Sequence, residues 1–373
     1  MMPSPLNLLV RVLHRYGFQS RNASKRALVS YVATLPFWNE RYFLRSHNAK
    51  LTSYLICRVL NTLGYTVDLR SCDDLDVPTD RSYDFFFGHT STFLQIKNKI
   101  ALTGKAVLLV TGSSPEFGNA AQSSRAEDLF QRRGIRLPVC AENIVPPARE
   151  WHSAADHILM LGNDFVRDTW YPEFNHKYTQ INNVSALNFD LGSERSPSNY
   201  LFLSSTGQVH RGLDVLLDVF AERSEHLHIC SSVLQEPDFV AAYRKELFEC
   251  PNIHVHGFIN ISSMRFYHIL SVCRFVILPS CSEGQSSSVV NAMFRGLLPI
   301  VTQNAGLPSV SRCGFEIEEI SPVAIQAVLD RAAKMSIQEY QSKRDALQDY
   351  VRKFSPQEFE ETVTKFFCET VGL

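Results

Sequence analysis

No stretch of this 373-residue chain stays apolar for the ~18 residues that a membrane-crossing helix needs. Neither sign of charge is in excess. There are 37 Lys and Arg against 38 Asp and Glu, for a net charge of -1. A protein that coats nucleic acid would show a basic surplus, so that class is disfavoured. The nine cysteines are odd in number and scattered, with no CxxC pair. That argues against a disulfide framework and against a zinc ribbon, and the thiols read as those of a reducing, cytoplasmic compartment. The apolar stretch Leu6 to Leu13 is broken by Arg11 and has no basic residue before it, so it is a poor secretory signal. No Gly-x-Gly-x-x-Gly and no P-loop occurs, which disfavours a dinucleotide enzyme or an NTPase.

What is present is bulk for two cores. Apolar residues make up 45% of the chain, with 25 Phe and 13 Tyr, and the length implies about two domains. Residues 1–39 hold Arg11, Arg15, Arg21, Lys25 and Arg26 and no acid, with Leu6, Leu9, Val10, Leu13 and Phe18 near helical spacing. Such a basic amphipathic segment suits an anionic membrane surface, or a surface helix packed on the first domain. Strand and helix signals then alternate through residues 40–190. A polar stretch, Asp190 to Asn199, marks a linker. The alternation restarts over residues 191–350, and residues 351–373 read as a helix that can pack back on the first domain. This pattern predicts an α/β architecture of two doubly wound, Rossmann-like domains facing across a cleft. Ligands of such sheets sit beyond the carboxyl ends of the strands, so the loops there carry the chemistry.

The most informative loop lies in LPSCSEGQSSSVVNAMFRGLLPIVTQNAG, Leu278 to Gly306. A buried strand ends at Leu278, and a small polar loop leads into a helix beginning Ser286-Ser287-Ser288. Free amides at a helix start form an anion site, and Glu283 at the loop tip can accept hydrogen bonds from vicinal hydroxyls. Phosphate beside a polyol describes a nucleotide sugar. Plain helix capping with a solvated Glu283 fits the same residues.

This stretch resembles the signature of retaining GT-B glycosyltransferases of family four, the glycosyl transferases group 1 type. Pro279, Ser280, Glu283, Gly284, Ala292, Met293, Gly296, Pro299 and Gly306 match its pattern, and Asn291 stands where the family has a second acid. The resemblance implies that Glu283 binds hydroxyls of the transferred sugar. It implies that Gly284, Gln285, Ser286, Ser287 and Ser288 hold the diphosphate, and that position 291 meets the ribose. A second stretch, LSSTGQVHRGLDVLL from Leu203, is similar to the family's Gly…Lys/Arg-Gly element. By that likeness Gly207 approaches the ligand and Arg211 pairs with the donor phosphates. Gln208 departs from an arginine often found there. A third, Gly257-Phe258-Ile259, is similar to a turn that holds the base. The alternating His254 and His256 before it read as a structural pair rather than a metal site.

In this fold class the first domain takes the acceptor. Its candidate loops are His47-Asn48, Gly88-His89-Thr90-Ser91 and Thr111-Gly112-Ser113-Ser114, with His89 placed to bond the sugar or the acceptor hydroxyl. The reading is a metal-independent, cofactor-free glycosyltransferase. It moves a sugar from a UDP- or GDP-linked donor to a glycan or lipid-linked acceptor, with retention, in polysaccharide or glycolipid synthesis. Its expected location is cytoplasmic, with a possible peripheral contact at the inner membrane face. The rival is a catalytically degenerate GT-B protein that binds nucleotide sugars or partners, with Asn291 and Gln208 as its evidence.

Overall fold

The computed structural model describes residues 24–33, 48–89, 92–137, 146, 148–185, 187, 189–190 and 196–373. The basic stretch up to residue 23, residues 34–47 with His47, and Thr90 and Ser91 lie outside them. Six parallel strands form the first sheet. They are β1 (Lys25–Tyr31), β2 (Tyr65–Ser71), β3 (Ser82–His89), β4 (Ala101–Val110), β5 (His157–Leu161) and β6 (Tyr178–Ile181), in the order β2-β1-β3-β4-β5-β6. The second sheet is again six parallel strands. They are β7 (Ser196–Leu203), β8 (His226–Cys230), β9 (Ile253–Val255), β10 (Cys273–Leu278), β11 (Leu298–Thr302) and β12 (Phe315–Ile317), in the order β12-β11-β10-β7-β8-β9. These are the two doubly wound α/β domains that the alternation predicts.

The strand sequences explain the topology. β10, CRFVIL, is buried at every position, as a strand covered by helices on both faces must be. One apolar cluster fills the second domain, and two others lie on opposite faces of the first sheet. β1 corrects the reading of residues 1–39 as a surface segment. Ala27, Leu28 and Val29 are fully buried, and β1 pairs with both β2 and β3 in mid-sheet. Lys25 and Arg26 sit at the strand's exposed start, so a basic flank hid a short β-branched and aliphatic core. The chain's end returns to the first domain. Phe359, Val363, Phe366 and Phe367 join its cluster, and Phe367 meets Phe85 edge-on at 5.3 Å.

In the second sheet the strand order reverses between β7 and β10. The loops after these two strands therefore leave side by side, which forms the crevice at a switch point. In the first sheet β3 stands beside the corresponding reversal and ends at His89. The two domains are held together by the helix Pro115–Arg133. Its Arg125 and Arg132 both reach the fully buried Asp214, and Arg133 reaches Asp218 and Glu246 at 2.7 Å each.

Candidate active site

The two switch-point loops of the second domain are joined at their tips. Arg211, eight residues after β7, is ion-paired with Glu283, five residues after β10. The same carboxylate oxygen of Glu283 accepts a bond from Ser280 Oγ at 3.0 Å. Burial pushes Arg211 down to about 10, against the pull of Cys281 and Glu236, so it remains cationic at neutral pH. His210 ties the loops again. Its Nε2 donates to the Ser282 carbonyl at 2.7 Å, which leaves Nδ1 to accept from the Cys281 thiol at 3.5 Å. Burial and the neighbouring Arg211 lower His210 to about 4, so it is neutral.

The first domain closes onto the same place. Ser113 gives both its backbone N–H (3.0 Å) and its hydroxyl (2.8 Å) to the Glu283 carbonyl. Position 284 must be glycine, because a Cβ there would lie 2.0 Å from the Thr111 carbonyl oxygen. His89 donates from Nδ1 to the Leu109 carbonyl at 2.8 Å, and its ring meets Tyr31 edge-on. Burial lowers its pKa, opposed by that bond and by Asp73. The imidazole is thus neutral, with Nε2 left as a hydrogen-bond acceptor. His89, Ser113, His210, Glu283 and Gly284 line one cavity of about 520 Å³ between the domains, together with Trp151 and Trp170.

A family described as Glycosyl transferases group 1 matches residues 197–334, the second domain. HepE from Anabaena, solved with UDP and glucose, is 11% identical with a TM-score of 0.60, over 92% of this chain and 99% of its own. Sucrose-phosphate synthase from Thermosynechococcus elongatus is 12% identical with a TM-score of 0.62, over 93% and 98%. The fold is GT-B. TarM from S. aureus, solved with UDP, fondaparinux and α-GlcNAc-glycerol, gives 12% and 0.54, and the chain spans only 55% of its length. No curated protein sequence matches.

Several residues expected at the donor end of the GT-B cleft are committed elsewhere. The backbone N–H of Ser286, expected to point at the cleft, donates instead to the Ala305 carbonyl at 3.1 Å. The physical reason is close packing. Gly306 follows a 3-10 turn with φ +72°, and its ideal Cβ would strike the Gly284 carbonyl, so this turn sits against the loop. The helix behind it, Ser287–Met293, is only seven residues long. Gln285 is buried and bridges to the inter-domain segment. Its Oε1 accepts from Asn183 N–H at 2.5 Å, and its Nε2 donates to Asn182 at 2.9 Å. Ser287 Oγ accepts from Asn183 Nδ2 at 2.7 Å, while Ser288 remains half-buried.

Asn291 and Asn48, expected at donor and acceptor respectively, bond to each other. Asn291 Nδ2 donates to Asn48 Oδ1 at 3.0 Å, and Asn291 Oδ1 accepts from Ser185 at 2.7 Å. All three residues are buried, so Asn291 pins the domains together. Gly257 has φ +72°, Phe258 is 70% exposed and Ile259 is buried. His254 and His256 pair with His226 and His228 at 2.8 and 3.0 Å in a ladder across β8 and β9. Among the described residues no group of three or more His, Cys, Asp or Glu side chains could hold a metal ion.

Sequence reasoning missed His210, one residue before Arg211, because nothing local shows that its ring reaches a loop 72 positions away. It also missed Glu236, one of two nearby acids in an otherwise unmarked stretch after β8.

Proposed function

We propose that this GT-B protein is a glycosyltransferase. It takes a sugar from a UDP- or GDP-linked donor and places it on an acceptor hydroxyl, with retention and without a metal ion. The observation that carries the reading is the Arg211–Glu283 pair, built at the β7/β10 switch point, whose Glu283 lines one cavity with His89 and Ser113. The group 1 match over the second domain, and the UDP bound by HepE and TarM, support it.

The chemistry follows from the residue types. Loss of a nucleoside diphosphate needs positive charge at the leaving oxygens, and the planar guanidinium of Arg211 supplies it. Glu283 then exchanges its Arg211 contact for hydroxyls of the bound sugar. The neutral Nε2 of His89 accepts from a sugar or acceptor hydroxyl. The acceptor attacks from the face that the diphosphate leaves, and its proton passes to a departing phosphate oxygen. A seated pair of domains excludes water and limits hydrolysis. The acceptor is a glycan or a lipid-linked glycan of polysaccharide or glycolipid synthesis. The basic first 23 residues favour a cytoplasmic protein touching an anionic membrane face. Liposome co-sedimentation checks that last point, and indifference to added anionic lipid removes it.

The deciding experiment offers UDP- and GDP-sugars with free and lipid-linked glycans, in buffer containing EDTA. Anomeric configuration is followed by NMR. Transfer with the donor's configuration kept is the expected result. Absence of transfer, of hydrolysis and of nucleotide binding across the whole panel overturns the reading. Binding without turnover selects the non-catalytic alternative, which the diversion of Asn291 to Asn48 favours.

A further inference from the structure

The loop after β7 presents two consecutive backbone amides, those of Gly207 and Gln208. Both are already taken. Glu236, in the loop after β8, accepts from Gly207 N–H at 2.6 Å and from Gln208 N–H at 3.2 Å. Gln208 Nε2 adds a third bond to the same carboxylate at 2.9 Å, and a further one to the Ser205 carbonyl at 2.8 Å. Successive amides in a turn make an anion-binding concavity. Here the anion is the chain's own side chain.

The charges nearby sharpen the point. Arg211 is the cation of this loop, and two carboxylates act on it. Glu283 is bonded to it, and Glu236 pulls on it electrostatically. Arg125, the next guanidinium, is engaged by Asp214 and Asp128. The cavity of about 260 Å³ onto which Gly207, Gln208 and Glu236 open is lined by Leu129, Phe239 and others, with no lysine or arginine among the described residues. Among the described residues, Arg211 is thus one positive charge held by two carboxylates, and Asp238 adds a further acid to the cavity lining. Gln208 occupies the position at which an arginine would have restored the balance. Its fully buried side chain keeps an oxygen, Oε1, with no partner among the described residues.

We infer that Glu236 is the specificity-determining residue for phosphate in the donor site. Its carboxylate holds the Gly207–Gln208 amides and competes with a second phosphate group for them. This rests on the glycosyltransferase reading above. The unmodified protein accepts one phosphate of a nucleotide at Arg211. It gains little from the next, because that group must displace a carboxylate carrying three hydrogen bonds and then lie beside it. Like charges brought together in a site weaken binding sharply.

The test is calorimetric titration of UMP, UDP, GMP and GDP into the full-length chain and into Glu236→Gln and Glu236→Ala. The Gln variant keeps an oxygen for the amides and removes the charge, so the loop stays braced even if Ala loosens it. The expected result is a diphosphate-to-monophosphate affinity ratio near one in the unmodified protein, rising about tenfold or more in the Gln variant. A ratio already high in the unmodified protein, or unchanged in both variants, overturns the inference and leaves Glu236 as a brace. That result leaves the glycosyltransferase reading standing, since nucleotides still bind. Failure of all four nucleotides to bind any of the three proteins overturns the glycosyltransferase reading, and this inference with it.

Discussion

The guanidinium of Arg211 and the carboxylate of Glu283 are bonded to each other across 72 positions of chain, at the adjacent ends of β7 and β10. Neither is on a strand, and each needs the other's loop to be where it is. Replacing Arg211 with Ala removes the charge proposed to face the leaving group. Turnover of the donor falls by about a hundredfold to a thousandfold, the loss typical of removing one such stabilising group. Arg211→Lys recovers part of this, because a point charge replaces a planar fork. Steady-state kinetics decide it, and an Ala variant within threefold of the unmodified protein counts against the site.

Asn291 is a structural link between the domains. Asn291→Ala strands the Asn48 amide and the Ser185 hydroxyl in a buried place, at a cost of about 1–3 kcal/mol. Asn291→Glu sets a carboxylate against Asn48 Oδ1 and destabilises the fold without tightening a nucleotide. Urea melts and nucleotide titration of both variants check this. A Glu variant with native stability and tighter binding would show that residue 291 turns to the ribose.

Asp214 is fully buried and takes two arginines from the helix Pro115–Arg133. Asp214→Ala takes one partner from each guanidinium, while Asp128 still holds both and Asp218 still holds Arg132. The expected loss is about 1–3 kcal/mol, the cost of leaving buried donors short of an acceptor. Denaturant unfolding measures it. A loss under 1 kcal/mol would mean that the helix docks through Leu129 and its apolar neighbours alone.

His152 is fully buried among Trp170, Tyr171, Phe174 and Tyr178, with Nδ1 donating to the Ala148 carbonyl at 2.8 Å. Burial lowers it from 6.5 to about 4. The unfolded chain therefore takes a proton near pH 6.5 that the folded one refuses until about 4. Stability is complete above 6.5 and declines as pH falls through that window, by roughly 3 kcal/mol for this group. Melting temperature against pH shows the decline, and His152→Phe flattens its share. A profile unchanged in that variant removes the assignment.

His89 is also held neutral by burial. If its Nε2 accepts a substrate hydroxyl, the acid limb of turnover lies below pH 6.5, and His89→Phe lowers turnover about tenfold or more. A variant with normal turnover and an unshifted acid limb would leave His89 a purely structural residue.

Much of this molecule is readable one stretch at a time. Runs such as CRFVIL and DFFF must be buried on both faces, and helical spacing between them forces parallel strands. The motif residues Gly207, Arg211, Glu283 and Gly284 are visible for the same reason, since each follows a strand end. A local pattern carries no information about which loops meet. Asn291 reads as a weakened ligand until Asn48 and Ser185 are brought to it from elsewhere. Glu236 reads as a surface acid until the β8 loop lays it on the Gly207–Gln208 amides, and β1 reads as a basic flank until β2 and β3 close around it. Hydrogen bonds and ion pairs are short-range and blind to sequence distance, so partners chosen by strand order across a switch point appear only once the sheets are assembled.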